Sequence, residues 1–158
     1  MKFITLFLSF LLFSTISFEQ GFSLPSLAYS YKELEPNIDA QTMEIHHSKH
    51  HQGYVNNLNK AISSAKLESK SLEDLLLGIS RTNDAIRNNA GGHYNHSLFW
   101  EILTPLKGTA RSSELEKAIK LSFGSLDSLK KELNNAASSR FGSGWAWLIL
   151  NPEGKLQV

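Results

Sequence analysis

No cysteine occurs among the 158 residues, which excludes disulfide frameworks, thiolate nucleophiles, zinc fingers and cysteine-ligated iron–sulfur clusters. An excess of one charge is lacking too. Lys and Arg number 16 against 15 Asp and Glu, a formal net charge of +1, and no like-charged block is long enough to form a nucleic-acid-binding arm. The H-E-x-x-H of zinc proteases and the G-x-S-x-G of serine hydrolases are both missing. Long apolar runs are confined to residues 3–16, after a single Lys2, and that run is shorter than the roughly 20 residues a membrane-spanning helix needs. It reads as a secretory signal peptide with small residues such as Thr15 and Ser17 near its end. The expected product is exported to a periplasm, an extracellular space or a secretory-route organelle, its mature chain starting between Phe18 and Leu24.

What remains is 41% hydrophobic and 20% charged, enough for a real core in a chain of this length. Leu24-Pro25-Ser26-Leu27 and the polar stretch up to Pro36 are expected to be extended. Asp39 is a good N-cap, and over residues 41–65 Met43, His47, His51, Tyr54, Val55, Leu58 and Ile62 recur at helical spacing, marking one buried face. A short helix is expected around Leu72, Leu75, Leu76 and Ile79. Another runs from about Thr82 to Leu103, and there Gly91-Gly92 signals either a close approach to the backbone or an interruption. Helices near residues 115–123 and 126–137 follow a linker at 107–112, and residues 145–150 and 155–158 read as extended runs about a turn at Asn151-Pro152-Glu153-Gly154. The fold class is α+β: an N-terminal antiparallel helical hairpin, then an incomplete α/β C-terminal domain. The organisation is 1–23 leader, 24–106 hairpin domain and 107–158 the start of the second domain.

The six histidines fall in two clusters, His46, His47, His50 and His51, and His93 and His96. Pairs four apart on a helix can chelate a divalent ion. Spacing alone also allows a solvated or satisfied-core histidine face, so both readings stay open. His46, His50 and Tyr54, at i, i+4 and i+8, can point toward a common site. Trp145 and Trp147 alternate as on a strand, a pattern that core packing explains by itself.

Five segments in order, Leu24-Pro25-Ser26-Leu27, Leu34-Glu35-Pro36, residues 42–56 around His46-His47-x-x-His50-His51, residues 88–100 ending in Asn95-His96-Ser97-Leu98-Phe99-Trp100, and residues 139–147 ending in Gly144-Trp145-Ala146-Trp147, resemble the iron/manganese superoxide dismutases. The resemblance implies a metal held between a helical hairpin and an α/β domain, in a homodimer or homotetramer. By motif, it implies that His46 and His96 are metal ligands, that His50 and Tyr54 line the substrate entrance, and that Trp100 and Trp145 belong to an aromatic wall. Gly92 stands where manganese-type relatives have glycine and iron-type relatives a glutamine, so manganese is implied ahead of iron. Superoxide is then the substrate, converted to dioxygen and hydrogen peroxide by one-electron cycling. Neither nucleic acid nor a stable membrane span is expected.

The family's other two ligands, in an Asp-x-Trp-x-His motif, would fall beyond Val158. The chain therefore reads as C-terminally truncated, and as written it is expected to bind manganese weakly and turn over little superoxide. The alternatives are a non-catalytic module that binds a divalent ion and a helical module that pairs with other subunits.

Overall fold

The structure, a computed structural model, describes residues 21–78, 83–106, 108 and 110–158. The apolar leader at 3–16, Ile79, Thr82 and Lys107 lie outside the described residues. Helices α1 (Ala40–Glu44) and α2 (Gln52–Ser64) are joined without a break by a π-helical segment, Ile45–His51; α3 (Leu72–Leu77), α4 (Asp84–Ile102), α5 (Ser113–Phe123) and α6 (Leu126–Ser139) follow. Strands β1 (Ile149–Leu150) and β2 (Leu156–Gln157) close the order as an antiparallel pair, with Ile149 opposite Gln157 and Leu150 opposite Leu156. The α+β class holds. Among the described residues no helix is long and apolar enough to cross a membrane.

Capping residues set where the helices start. Asp39 accepts from the Thr42 amide at 2.8 Å and the Thr42 hydroxyl at 2.7 Å, and Ser71, Asn83, Ser112 and Ser125 cap α3 to α6 in the same way. Each satisfies an amide that the first turn leaves without a partner. The hairpin pairs the Met43-to-Ile62 stripe with α4, and it buries two apolar clusters. Leu58, Ala61 and Ile62 meet Leu75, Ile86 and Ala90 at one end, while Met43, Leu34 and Trp100 meet at the other. Filling such positions with whole leucine or isoleucine side chains contributes about 1.5–3 kcal/mol each. Between the clusters, in sequence order on both helices, lie His47, His51, His93 and His96, all buried. The hairpin thus has a polar middle layer.

Three local expectations need correction. First, residues 31–38 are not extended but form consecutive turns, held by amide bonds such as Glu33 to Ser30 at 3.1 Å and Asn37 to Leu34 at 3.0 Å. Those turns drive Leu34 into the cluster with Met43 and Trp100, and this burial outweighs the preference for an extended chain before Pro36. Second, the helix expected over 41–65 is not uniform. Met43, His47, His51 and Val55 repeat every four residues, a spacing that drifts by about 40° per step on an α-helix of 3.6 residues per turn. The wider π turns at Ile45–His51 absorb that drift, and all four residues stay buried. Third, only Ile149 and Leu150 of the 145–150 run pair as strand. Two-residue β2 offers no ladder further back, and the tryptophans before it pack by their rings on α4 instead.

The paired glycines do not interrupt α4, which runs unbroken through them. A β-carbon at Gly92 would lie 2.3 Å from Cδ1 of Tyr54, whereas one at Gly91 would meet nothing within 4 Å. The close approach is therefore specific to Gly92 and is made by the Tyr54 ring. In the C-terminal part α5 packs on α6, and the Leu156 amide donates to Ser122 Oγ at 3.2 Å, tying β2 to α5. The β1–β2 turn places Gly154 at φ 75°, a left-handed conformation in which side chains are strained.

Candidate metal centre

The structure brings together all six residues that the resemblance singled out. His46, on the π segment, and His96, on α4, face each other with their Nε2 atoms 3.0 Å apart. His50 is the third member of the group, and one ligand atom from each of the three histidines lies within 4.8 Å of the others. Tyr54 packs its ring 5.2 Å from both His50 and His96. Trp100 crosses the His46 ring edge-on at 5.0 Å, and Trp145 does the same to His96 at 5.1 Å. His46, His50, Tyr54, His96 and Trp145 share a cavity of about 310 Å³ with Phe99, Ser143 and Gly144.

Hydrogen bonds fix which nitrogen carries the proton in His96, His51 and His47. A carbonyl can only accept, so His96 donates Nδ1–H to Gly92 O at 2.7 Å and turns a bare Nε2 toward His46. An indole N–H can only donate, so Trp100 Nε1 gives its proton to His51 Nδ1 at 3.0 Å. His51 must then carry its own proton on Nε2, and it donates this to His93 Nδ1 at 2.7 Å. By the same logic His47 donates Nε2–H to Pro25 O at 2.8 Å and accepts from the Tyr31 hydroxyl at 3.0 Å. This last pair clamps the segment before α1 onto the π segment.

Burial keeps the rings of His46, His51, His93 and His96 uncharged. Desolvation, followed by the neighbouring His96 and His50, lowers the His46 pKa from 6.5 to about 4. His51 is lowered to about 3, by desolvation first and then by His93, His96 and His47. His93 and His96 are lowered as well, again chiefly by desolvation. With His96 Nε2 bare, the 3.0 Å contact is a hydrogen bond donated by His46 Nε2–H in the metal-free protein; because both rings are neutral, moving that proton to His46 Nδ1 leaves two Nε2 lone pairs for an ion. Two neutral imidazole nitrogens 3.0 Å apart suit adjacent positions around a cation with metal–nitrogen bonds of about 2.1 Å. Imidazole also suits redox-active transition metals, iron among them. The donor set present therefore fits such an ion.

The histidine layer goes beyond what spacing suggested. His47 and His51 belong to the buried stripe, yet spacing did not show that His51 sits between Trp100 and His93, nor that Phe99 would join the wall. The signal was histidine at i and i+4 inside an otherwise apolar face, opposite a second pair one turn apart. Asn95, on the next turn of α4, donates to Gly91 O at 2.7 Å, while its buried Oδ1 has no partner among the described residues. Trp147 is not in the cavity with His46 and stacks on Tyr94 at 6.1 Å.

Residues 21–104 match the iron/manganese superoxide dismutase alpha-hairpin domain, and residues 111–158 match the C-terminal domain of the same family. The chain is similar to a protein of Yersinia enterocolitica named superoxide dismutase [Mn], 52% identical over 143 residues that make up 87% of this chain and 68% of that protein. It is similar also to one of Methylomonas sp. (strain J) named superoxide dismutase [Mn/Fe], 50% identical over 142 residues, 87% of this chain and 70% of the relative. Two domain matches in the family's order and half of all aligned positions shared with two such relatives leave one assignment: this chain belongs to the iron/manganese superoxide dismutase family.

Proposed function

We propose that this chain converts superoxide to dioxygen and hydrogen peroxide with manganese, or iron in its place, held by His46 and His96. The observation that carries the reading is the convergence of two neutral imidazole nitrogens, 3.0 Å apart, inside a wall of Trp100, Phe99 and Trp145. Relatives named for manganese and for manganese or iron support the choice of ion, and glycine at position 92 favours manganese. What the ion supplies when bound is a reversible one-electron change, so that one superoxide is oxidised to dioxygen and a second, with two protons, is reduced to hydrogen peroxide. Zinc, lacking that change, supplies none of it.

The chain's own groups do the remaining work. Gly92 O holds the His96 proton on Nδ1 and so keeps Nε2 directed at His46. Trp100, buried, and the half-buried Phe99 and Trp145 leave room for a small anion and keep bulk water from the inner side. His50 is exposed and Tyr54 half-buried, which makes them the proton-bearing side chains at the open side of the cavity. The family resemblance supports assembly as a homodimer or homotetramer, and the apolar run at 3–16 supports export with removal of the leader. N-terminal sequencing of protein from the source cell should return a start between Phe18 and Leu24, and recovery of Met1 would refute cleavage.

The test of function is purification from a host without superoxide dismutases of its own, loading with manganese or iron, and measurement of both bound metal and turnover. Even the weak metal binding and low turnover expected of this chain should be lost in His46→Ala and in His96→Ala. Full metal occupancy in either variant would overturn the ligand assignment.

A further inference from the structure

We propose that His51, which does not face the proposed ion, is the positioning residue that fixes the ring planes of His96 and Trp100. It is wholly buried, 0% exposed, and both of its ring nitrogens are engaged, Nδ1 by the Trp100 indole at 3.0 Å and Nε2 by His93 at 2.7 Å. Its ring therefore cannot turn without breaking two buried hydrogen bonds, and a buried donor or acceptor left without a partner costs about 1–3 kcal/mol. The face of this locked ring lies against His96, centroids 5.2 Å apart and planes within 21°. The contacts at the two nitrogens of His96, Nδ1–H to Gly92 O at 2.7 Å and Nε2 to His46 Nε2 at 3.0 Å, define a line about which its ring can still roll. The parallel His51 ring removes the remaining rotation. The chain Trp100, His51, His93 continues to Phe22, whose ring lies 5.6 Å from His93 and whose backbone is pinned by Asn59 at 2.7 and 2.8 Å. Ring orientation at the site is thus referred to a fixed point on α2.

The inference rests on reading His96 as a ligand, and the test separates the two. His51→Gln offers an acceptor to Trp100, a donor to His93 and a planar amide against His96, whereas His51→Leu fills similar space with none of these. In metal-free protein, the Nδ1–H proton resonance of His96 should be sharp in the parent and in His51→Gln, and should broaden into exchange in His51→Leu. With manganese, His51→Leu should lose about 10- to 100-fold in metal affinity, the range seen when partners of ligating histidines are removed, and should shift the visible absorption of the oxidised protein. His51→Gln should restore both. A sharp His96 resonance in folded His51→Leu, or a Gln variant as impaired as the Leu variant, would overturn the positioning role. The expected resonances with unchanged metal affinity would instead overturn the ligand role of His96. Should His51→Leu not fold, His93→Leu removes the outer acceptor alone and must produce the same spectral shift in smaller measure; its absence would sink the proposal.

Discussion

Replacing Gly92 with alanine sets two known effects against each other. Inside α4 the substitution removes backbone freedom from the unfolded chain and by helix propensity should stabilise by about 0.5–1 kcal/mol. The new methyl, however, would lie 2.3, 2.5 and 2.6 Å from three carbons of the Tyr54 ring, where carbon pairs settle at about 3.5–4.0 Å. Either the ring or α4 must yield by about 1 Å, and overpacking of that kind costs about 1–3 kcal/mol. The clash at least cancels the helix gain and at most leaves a net loss of about 2.5 kcal/mol, or up to about 10 °C in Tm for a chain of this size. Gly91→Ala is the matched control, since its methyl meets nothing within 4 Å; it keeps the helix gain alone and should raise Tm. Because Tyr54 sits 5.2 Å from both His50 and His96, Gly92→Ala should also lower superoxide turnover while Gly91→Ala leaves it unchanged. Thermal melts and turnover assays on the two variants decide the matter. Equal stabilisation by both alanines, with turnover intact, would show that the Tyr54 ring does not occupy the space beside Gly92.

Metal-free protein should lose stability as pH falls below about 6.5. His46 and His51 stay neutral when folded, down to about 4 and about 3, but take up protons when unfolded, so each adds a slope of up to about 1.4 kcal/mol per pH unit in that window. Urea melts from pH 7 to 4 would show it, and a midpoint independent of pH would contradict the neutral layer. His50→Ala and Tyr54→Phe should each retain manganese while changing turnover, because these side chains occupy the open side of the cavity; metal analysis showing both emptied would move them into the ligand set.

Legibility in the sequence followed the physics of each segment. Caps and stripes are local, so Asp39, the buried faces of the hairpin helices and the break between α5 and α6 could be read from the residues. The histidines that converge on the cavity could be read as well, because two dense motifs mark them. The turns at 31–38 could not, since they depend on Leu34 finding Met43 and Trp100 far along the chain. Residues 145–148 look like strand by alternation, yet strand needs a partner, and the rings of Trp145 and Trp147 found α4 first. The hydrogen-bonded order Trp100 to His51 to His93 was hidden for another reason: periodicity shows which face a histidine shares, not which of its two nitrogens holds the proton.

The π segment also makes the length of this helix a constraint separate from its composition. A run of i to i+5 bonds is what an α-helix becomes when it accommodates an extra residue without breaking. Deleting one residue between Ile45 and His51 would let the segment relax to the commoner winding, and the helix on either side would stay nearly in phase, because seven steps of about 82° and six of about 100° sum to almost the same rotation. Met43 would keep its cluster, and the change would be confined to the spacing of the histidines inside the segment. Substitutions here change which side chains are present, whereas a single-codon deletion changes how the histidines are spaced, and so insertions and deletions are the sharper probe of what this segment does.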